Sequence, residues 1–132
     1  MQVKYIPKDQ LRYYWNFVKS GLEKVRAKGH QDWIVEDIYC DCFEQRSMLW
    51  LIEKDDYGIG FMVMQPMGKV MHLWAAWLDS SNPDDLTEGL VHAINIAKQG
   101  NCEKLTFSSV RKGWERKARQ LGFTPSTWEI KV

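Results

Sequence analysis

The run Val70-Met71-His72-Leu73-Trp74-Ala75-Ala76-Trp77-Leu78 is apolar enough for a buried strand. It breaks through Asp79-Ser80-Ser81-Asn82-Pro83-Asp84-Asp85 into a helical pattern. A strand that enters a helix through a short loop commits this part of the chain to an α/β arrangement. At such junctions free amides and the positive end of the helix dipole converge, and many folds hold a phosphate there. This junction contains no glycine. Its three aspartates and one proline supply negative charge and one fewer N–H group. The same residues make good helix-start chemistry without any ligand: Asn82 suits the N-cap, Pro83 the first helical position, and Asp84 and Asp85 the first turn.

The remaining periodicity orders the other elements. Val3 to Pro7 alternates as a short strand. Leu11, Tyr14, Trp15, Val18, Leu22 and Val25 recur at helical spacing until Gly29, and the spacing predicts Leu11, Trp15, Val18 and Leu22 buried together. A shorter helix follows from about Val35 to Phe43, with Ile38, Cys42 and Phe43 inward. Three strand-like runs, Met48 to Glu53, Ile59 to Gln65 and Val70 to Leu78, are separated by hairpin-like spacers and form a meander buried on both faces. Leu86, Leu90, Ala93, Ile94 and Ala97 make the stripe of the next helix. Lys104 to Ser109 alternates as a strand, Lys112 to Leu121 is helical with Trp114, Ala118 and Leu121 on one face, and Phe123 to Val132 reads as a last strand around Trp128 and Ile130. The order is β-α-α-β-β-β-α-β-α-β. No repeat or linker interrupts it, and 132 residues suit one domain, 1–132.

Composition narrows the function classes. Eighteen Lys and Arg against seventeen Asp and Glu leave a net charge of +1, which removes a whole-protein electrostatic case for nucleic acid or an anionic membrane. No apolar run approaches the roughly 18 residues of a membrane span, and the first residues lack a signal-peptide core. Three cysteines without a C-x-x-C pair indicate neither a disulfide framework nor a zinc site, and a reduced cytoplasmic compartment fits. Cys40 and Cys42 stand two apart, which on a helix points the thiols away from each other. His30, His72 and His92 have no ligand-like spacing, so no metal is expected. The basic run Arg111 to Arg119 carries five cations in nine residues. It reads as a solvated helix face, with a nucleic-acid patch as the alternative.

The element order, with a long third helix after the fourth strand and Ala118-Arg119-Gln120-Leu121-Gly122-Phe123 leading to the end, resembles the GNAT superfamily of acyl-CoA N-acyltransferases. The compact, tryptophan-rich style is also similar to small GNAT-like proteins of tailed bacteriophages. The resemblance implies a mixed, mostly antiparallel sheet flanked by helices, and a slot where the fourth and fifth strands splay. It also implies a coenzyme loop of pattern Gln/Arg-x-x-Gly-x-Gly/Ala, and here the chain departs: Pro83 and Asp85 fall at about the glycine positions. The family's tyrosine acid falls on Ala118, and the fourth strand offers no carboxylate base, leaving His72 as its one titratable group. A lone histidine in an apolar strand also has a purely structural reading.

These departures imply a degenerate acetyl-CoA site with no cofactor expected. The corresponding role is a non-catalytic protein-binding module, in a virion or against a host factor in the host cytoplasm. The alternative is an active acetyl-CoA-dependent enzyme with His72 as base, holding its coenzyme through Trp77, Leu78, Asn82 and Leu86. Binding-surface candidates are Trp74, Arg111, Arg116 and Arg119. Trp74 and Trp77 stand three apart, so on a regular strand they face opposite sides and only one of them enters the slot.

Overall fold

The structure is a computed structural model that describes residues 1–29, 31–108, 112–124, 130 and 131, with backbone alone for 112–114. The strands are β1 (Gln2–Ile6), β2 (Met48–Lys54), β3 (Tyr57–Met67), β4 (Val70–Leu78) and β5 (Lys104–Phe107). The helices are α1 (Leu11–Ala27, after one 3-10 turn at Lys8–Gln10), α2 (Val35–Phe43), α3 (Pro83–Gln99) and α4 (Lys112–Gln120). Of the expected last strand, Phe123 to Val132, residues 125–129 and 132, with Trp128, lie outside the described residues, as does Arg111; the described residues 123, 124, 130 and 131 are not in a strand, and Ile130 is exposed.

The strands form one sheet in the order β1-β2-β3-β4-β5, antiparallel except for the β4–β5 pair. This is the mixed, mostly antiparallel sheet that the resemblance implies. The hairpins are tighter than the spacers suggested. Asp55 and Asp56 both adopt positive φ (53° and 66°) between β2 and β3, a mirror-image turn that short acidic side chains tolerate and that matches strand twist. Gly68, φ 63°, does the corresponding work between β3 and β4.

Two cores sandwich the sheet. On one face Leu11, Val18 and Leu22 of α1 and Ile38 and Cys42 of α2 pack on Leu49, Leu51, Phe61, Val63 and Ala75. On the other, Leu90, Ala93, Ile96 and Ala97 of α3 pack on Ile52, Met62, Met64, Met71 and Leu73. The central strand β3 is buried from Gly60 to Met64, as its uninterrupted apolar run requires.

Three inward assignments change. Trp15 is only half-buried, its ring meeting Tyr39 edge-on at 4.8 Å. Phe43 is 45% exposed because its ring lies at the end of α2, stacked on Tyr39 under the Lys8 ammonium. On α3, Ile96 and not Ile94 completes the buried face, which also takes in Gly89 and, against the polarity rule, Asp85.

The Leu121-Gly122-Phe123 turn closes α4 as a glycine cap. Gly122 has φ 94°, its N–H donates to the Arg119 carbonyl at 3.1 Å, and the Phe123 N–H reaches the Ala118 carbonyl at 3.0 Å. Phe123 then packs edge-on against Phe107 at 5.2 Å, tying the end of α4 to the end of β5.

Candidate functional site

Strand β4 outlasts its parallel neighbour. The β4–β5 ladder stops at the pair Leu73–Phe107, while β4 continues for five more residues to Leu78. Among the described residues, the main chain on that side has no strand partner from Trp74 onward, which leaves a slot beside the end of β4. A bulge lies at the same place: Val63 pairs with Ala75 but Met64 pairs with Leu73, so Trp74 is the extra residue.

The bulge reverses the alternation of β4. Met71 and Leu73 face the α3 core before it, and Ala76 and Leu78 face that core after it. Trp74, Ala75 and Trp77 all pack on the α1 and α2 side. The expectation that two tryptophans three apart face opposite ways therefore fails, because one inserted residue restores them to a common face.

Trp77 is held firmly. Gly21 of α1 comes so near that a Cβ there would lie 2.9 Å from the Trp77 ring and 2.5 Å from Phe61. Phe17 meets Trp77 edge-on at 5.7 Å and the Lys24 ammonium sits 4.9 Å from its ring centroid. At Gly60, opposite Leu78, a Cβ would fall 2.3 Å from the Trp77 carbonyl oxygen. Glycines on both flanks thus permit the strand and its neighbours to approach at the mouth of the slot.

The junction after β4 uses its polar groups on itself. The Asn82 N–H donates to Ser80 Oγ at 3.1 Å, the Asp84 N–H to Asn82 Oδ1 at 3.0 Å, and the Asp85 N–H to the Asn82 carbonyl at 3.1 Å. Pro83 has no N–H. The cap predicted for Asn82 is present, and residues 82–85 keep none of these amides for an anion. Asp85, however, does not face the slot. It is 3% exposed, accepts a hydrogen bond from Ser80 Oγ, and lies 3.0 Å from Lys54 Nζ on β2. The Ser80 hydroxyl and then the Lys54 ammonium hold its carboxyl below the ordinary carboxylate range. The negative charge that Asp85 brings to this position is therefore balanced by Lys54.

A pocket of about 390 Å³ opens between the end of β4, the start of α3 and α4. Trp77, Leu78, Asn82, Leu86 and, from α4, Arg116 and Lys117 line it. The four residues expected to touch a coenzyme thus share one wall system with Arg116, which the sequence reading had assigned to a separate surface. Lys117 was not singled out, because within a run of five cations nothing in the spacing distinguishes the residues that face the slot. Arg119 takes another direction and pairs with Glu115, one helical turn back, at 3.2 Å.

Ala118, at the position of the family's acid, is buried and has no proton to give. His72 lies before the bulge, paired with Gln65, and its Nδ1 is 2.9 Å from Thr106 Oγ1 of β5. Burial pushes its pKa below the usual 6.5, with the Thr106 hydrogen bond opposing, so the ring is neutral at pH 7. Trp74 borders a second, shallower depression of about 440 Å³ with Gln65, Asp32, Asp37, Asp41 and Arg46. Asp41 there is already engaged: Ser47 Oγ donates to it, Arg46 Nε lies 2.9 Å away, and Gln65 Nε2 is at 3.4 Å. Burial works to raise its pKa, but these partners together leave it lowered. Cys40 is exposed and Cys42 buried, its thiol pushed up to about 12 chiefly by desolvation, which makes it an inert core residue.

No family model and no curated protein sequence matches the chain. Solved structures do. A probable acetyltransferase superposes with a TM-score of 0.73 at 14% identity, covering 100% of this chain and 98% of that one. A predicted acetyltransferase with acetyl-CoA from Clostridium acetobutylicum gives 0.70 at 12% identity, covering 99% and 94%. An IAA acetyltransferase from Bacillus cereus gives 0.72 at 18% identity, covering 96% and 78%. The aminoglycoside N-acetyltransferase AAC(6')-Iy, in complex with a bisubstrate analogue of CoA, gives 0.68 at 15% identity, covering 99% and 95%. At these identities the likeness establishes the fold, which is GNAT-like over the whole described chain.

Proposed function

We propose that this GNAT-like domain binds a ligand of the acyl-coenzyme A class in the pocket between β4, α3 and α4, with Arg116 and Lys117 taking over the phosphate contacts that loop amides supply elsewhere. The observation that carries the reading is the placement of these two cations in the same pocket as Trp77, Leu78, Asn82 and Leu86. Two positive side chains suit a polyphosphate even where the amides of residues 82–85 are internally bonded. The bound CoA of the aminoglycoside enzyme and the acetyl-CoA of the Clostridium protein support the same class of ligand for this fold. The acyl group carried by such a ligand is the chemistry it would supply. The chain's own part is to hold it beside the end of β4, which has no strand partner on that side among the described residues; His72, the one titratable group of that strand, lies before the bulge and does not line this pocket, so a role as proton acceptor belongs to the farther part of the slot.

The test is calorimetric titration with free coenzyme A and acetyl-CoA, alongside thiol release in the presence of a panel of primary amines. Submillimolar binding is expected. Absence of binding by both ligands at millimolar concentration would overturn the reading.

One observation favours a second reading, in which the ligand binds without turnover or the cleft serves a protein partner: buried Ala118 leaves the leaving thiolate without its family acid. Binding without thiol release would select the first form. The virion or host-factor role that the phage-protein resemblance implies belongs to the second.

A further inference from the structure

The loop wall of the cationic pocket is fixed from outside the pocket. Ser80, Ser81 and Asn82 line it, whereas Lys54 and Asp85 are not among its lining residues. Yet polar contacts run without a gap from Lys54 on β2 to that wall. Lys54 Nζ lies 3.0 Å from Oδ1 and 3.3 Å from Oδ2 of Asp85. Asp85 Oδ2 also accepts the Ser80 hydroxyl proton, and Ser80 Oγ in turn accepts the Asn82 N–H at 3.1 Å. Asn82 Oδ1 takes the Asp84 N–H at 3.0 Å, which turns that side chain back onto the helix start. At the other end of the loop the Asp79 N–H donates to the Ile59 carbonyl at 2.7 Å. The lysine and the covered carboxylate therefore reach an exposed loop that neither of them belongs to the face of.

We infer that Lys54 is a positioning residue for this pocket, acting through Asp85 and Ser80 on the loop that carries Ser81 and Asn82. The inference rests on the coenzyme reading and adds to it a control point on β2, two places from β4 in the sheet. A hydroxyl has one proton to give. While Asp85 is charged it claims the Ser80 proton, and the lone pairs of Ser80 Oγ are left for the Asn82 N–H. The carboxylate stays both covered and charged because Lys54 balances it. With that cation removed, the carboxylate either moves toward water or takes up a proton, and in both cases its claim on Ser80 is lost. The Ser80 hydroxyl then rotates, and the Asn82 N–H has no fixed acceptor. Such a loop must be ordered when a ligand arrives, and the cost falls on affinity. Arg116 and Lys117 stand on α4, outside this relay, so their contacts remain and the loss is partial.

The experiment is titration of the whole chain with free coenzyme A, for the parent, Lys54→Met, Lys54→Arg, Ser80→Ala and the double variant Lys54→Met with Ser80→Ala. Melting temperatures and amide exchange by NMR are read on the same chains without ligand. Lys54→Met should weaken binding about five- to tenfold and Ser80→Ala by a similar factor, with the double variant losing no more than the larger single loss, since both cut one relay. Lys54→Arg keeps the cation and should restore most of the affinity. Exchange at the Asn82 N–H should quicken in Lys54→Met and Ser80→Ala while the amides of β3 keep their protection. A lower melting temperature for Lys54→Met with unchanged affinity would confine the pair to stability and overturn the inference, and so would additive losses in the double variant. Ser80 is exposed, so Ser80→Ala decides the matter where Lys54→Met does not fold: unchanged affinity there overturns the relay. If the parent binds no coenzyme A, the coenzyme reading fails by itself and the exchange rates judge the relay. Faster exchange at Asn82 in Lys54→Met then upholds it, and equal rates overturn it.

Discussion

Lys54 Nζ on β2 stands 3.0 Å from Oδ1 of Asp85 on α3, joining the first turn of the helix to a strand two places away from β4 in the sheet. The carboxylate is almost wholly covered while the lysine remains part-exposed, so the pair is anchored by its acidic member and completed by Ser80. Removing Lys54 would leave a covered charge with only a hydroxyl partner.

Asp85 therefore predicts an acid limb in stability. Its carboxyl is held lower in the folded chain than the unfolded value near 3.9, so its contribution is complete above that value and is lost as pH falls through the folded one. Asp85→Asn should lower the melting temperature by several degrees at pH 7 and make the acid limb shallower. A melting curve whose pH dependence is the same in parent and variant would show that the pair contributes nothing.

Two helix glycines should respond to alanine with opposite sign. At Gly21 the new Cβ collides with Phe61 and Trp77, and the loss should be about 1 to 3 kcal/mol, the ordinary cost of overpacking. At Gly89 the Cβ meets no atom of the described residues within 4 Å, and the gain should be about 0.5 to 1 kcal/mol from helix propensity. Chemical denaturation of both variants decides it. Destabilisation by Gly89→Ala would mean that the space beside Gly89 is occupied in solution.

Periodicity made the sheet and α1, α2 and α3 legible because apolar spacing follows burial directly. Val18 and Leu22 lie where a 3.6-residue period puts them. Asp85 stands in the first turn as read, but its burial was not legible, because a carboxylate there usually faces water and only the distant Lys54 makes burial tolerable. Trp74 was misread because a bulge has no sequence signature stronger than the strand it interrupts. The pocket itself was half legible: Trp77, Leu78, Asn82 and Leu86 follow from the strand-to-helix junction, whereas Arg116 and Lys117 depend on how α4 docks, which no local pattern encodes.

Trp15 gives a graded check on the α1 face. Because its ring is half-exposed against Tyr39, Trp15→Ala should cost about 2 to 3 kcal/mol, less than the 3 to 5 typical of a fully buried tryptophan. Equilibrium denaturation reads the difference, and an unchanged midpoint would remove Trp15 from the core.

Arg116 and Lys117 should divide from Arg119 in ligand binding. Arg116→Ala and Lys117→Ala are each expected to weaken coenzyme A about three- to tenfold and to flatten its salt dependence, since each removes one pocket cation. Arg119→Ala, whose partner is Glu115, should leave affinity within twofold. Equal losses at all three positions, measured by titration at two salt concentrations, would point to a diffuse basic surface in place of a pocket.

His72 separates a chemical from a structural role. Burial lowers its pKa, so its neutral form is the one the fold favours; that stability is present above the unfolded value near 6.5 and is lost as pH falls through the lower folded value. His72→Gln should flatten the stability profile across this window whether or not the ring does chemistry, because the amide does not titrate. Turnover makes the distinction. With His72 as proton acceptor, the rate of acyl transfer by the parent should rise with pH through one ionisation below 6.5 and level off by neutrality. In the variant that step should vanish and the plateau should fall by roughly a hundredfold. A stability profile that flattens while the pH–rate profile stays the same would confine the His72–Thr106 contact to holding β4 against β5 where the two strands part.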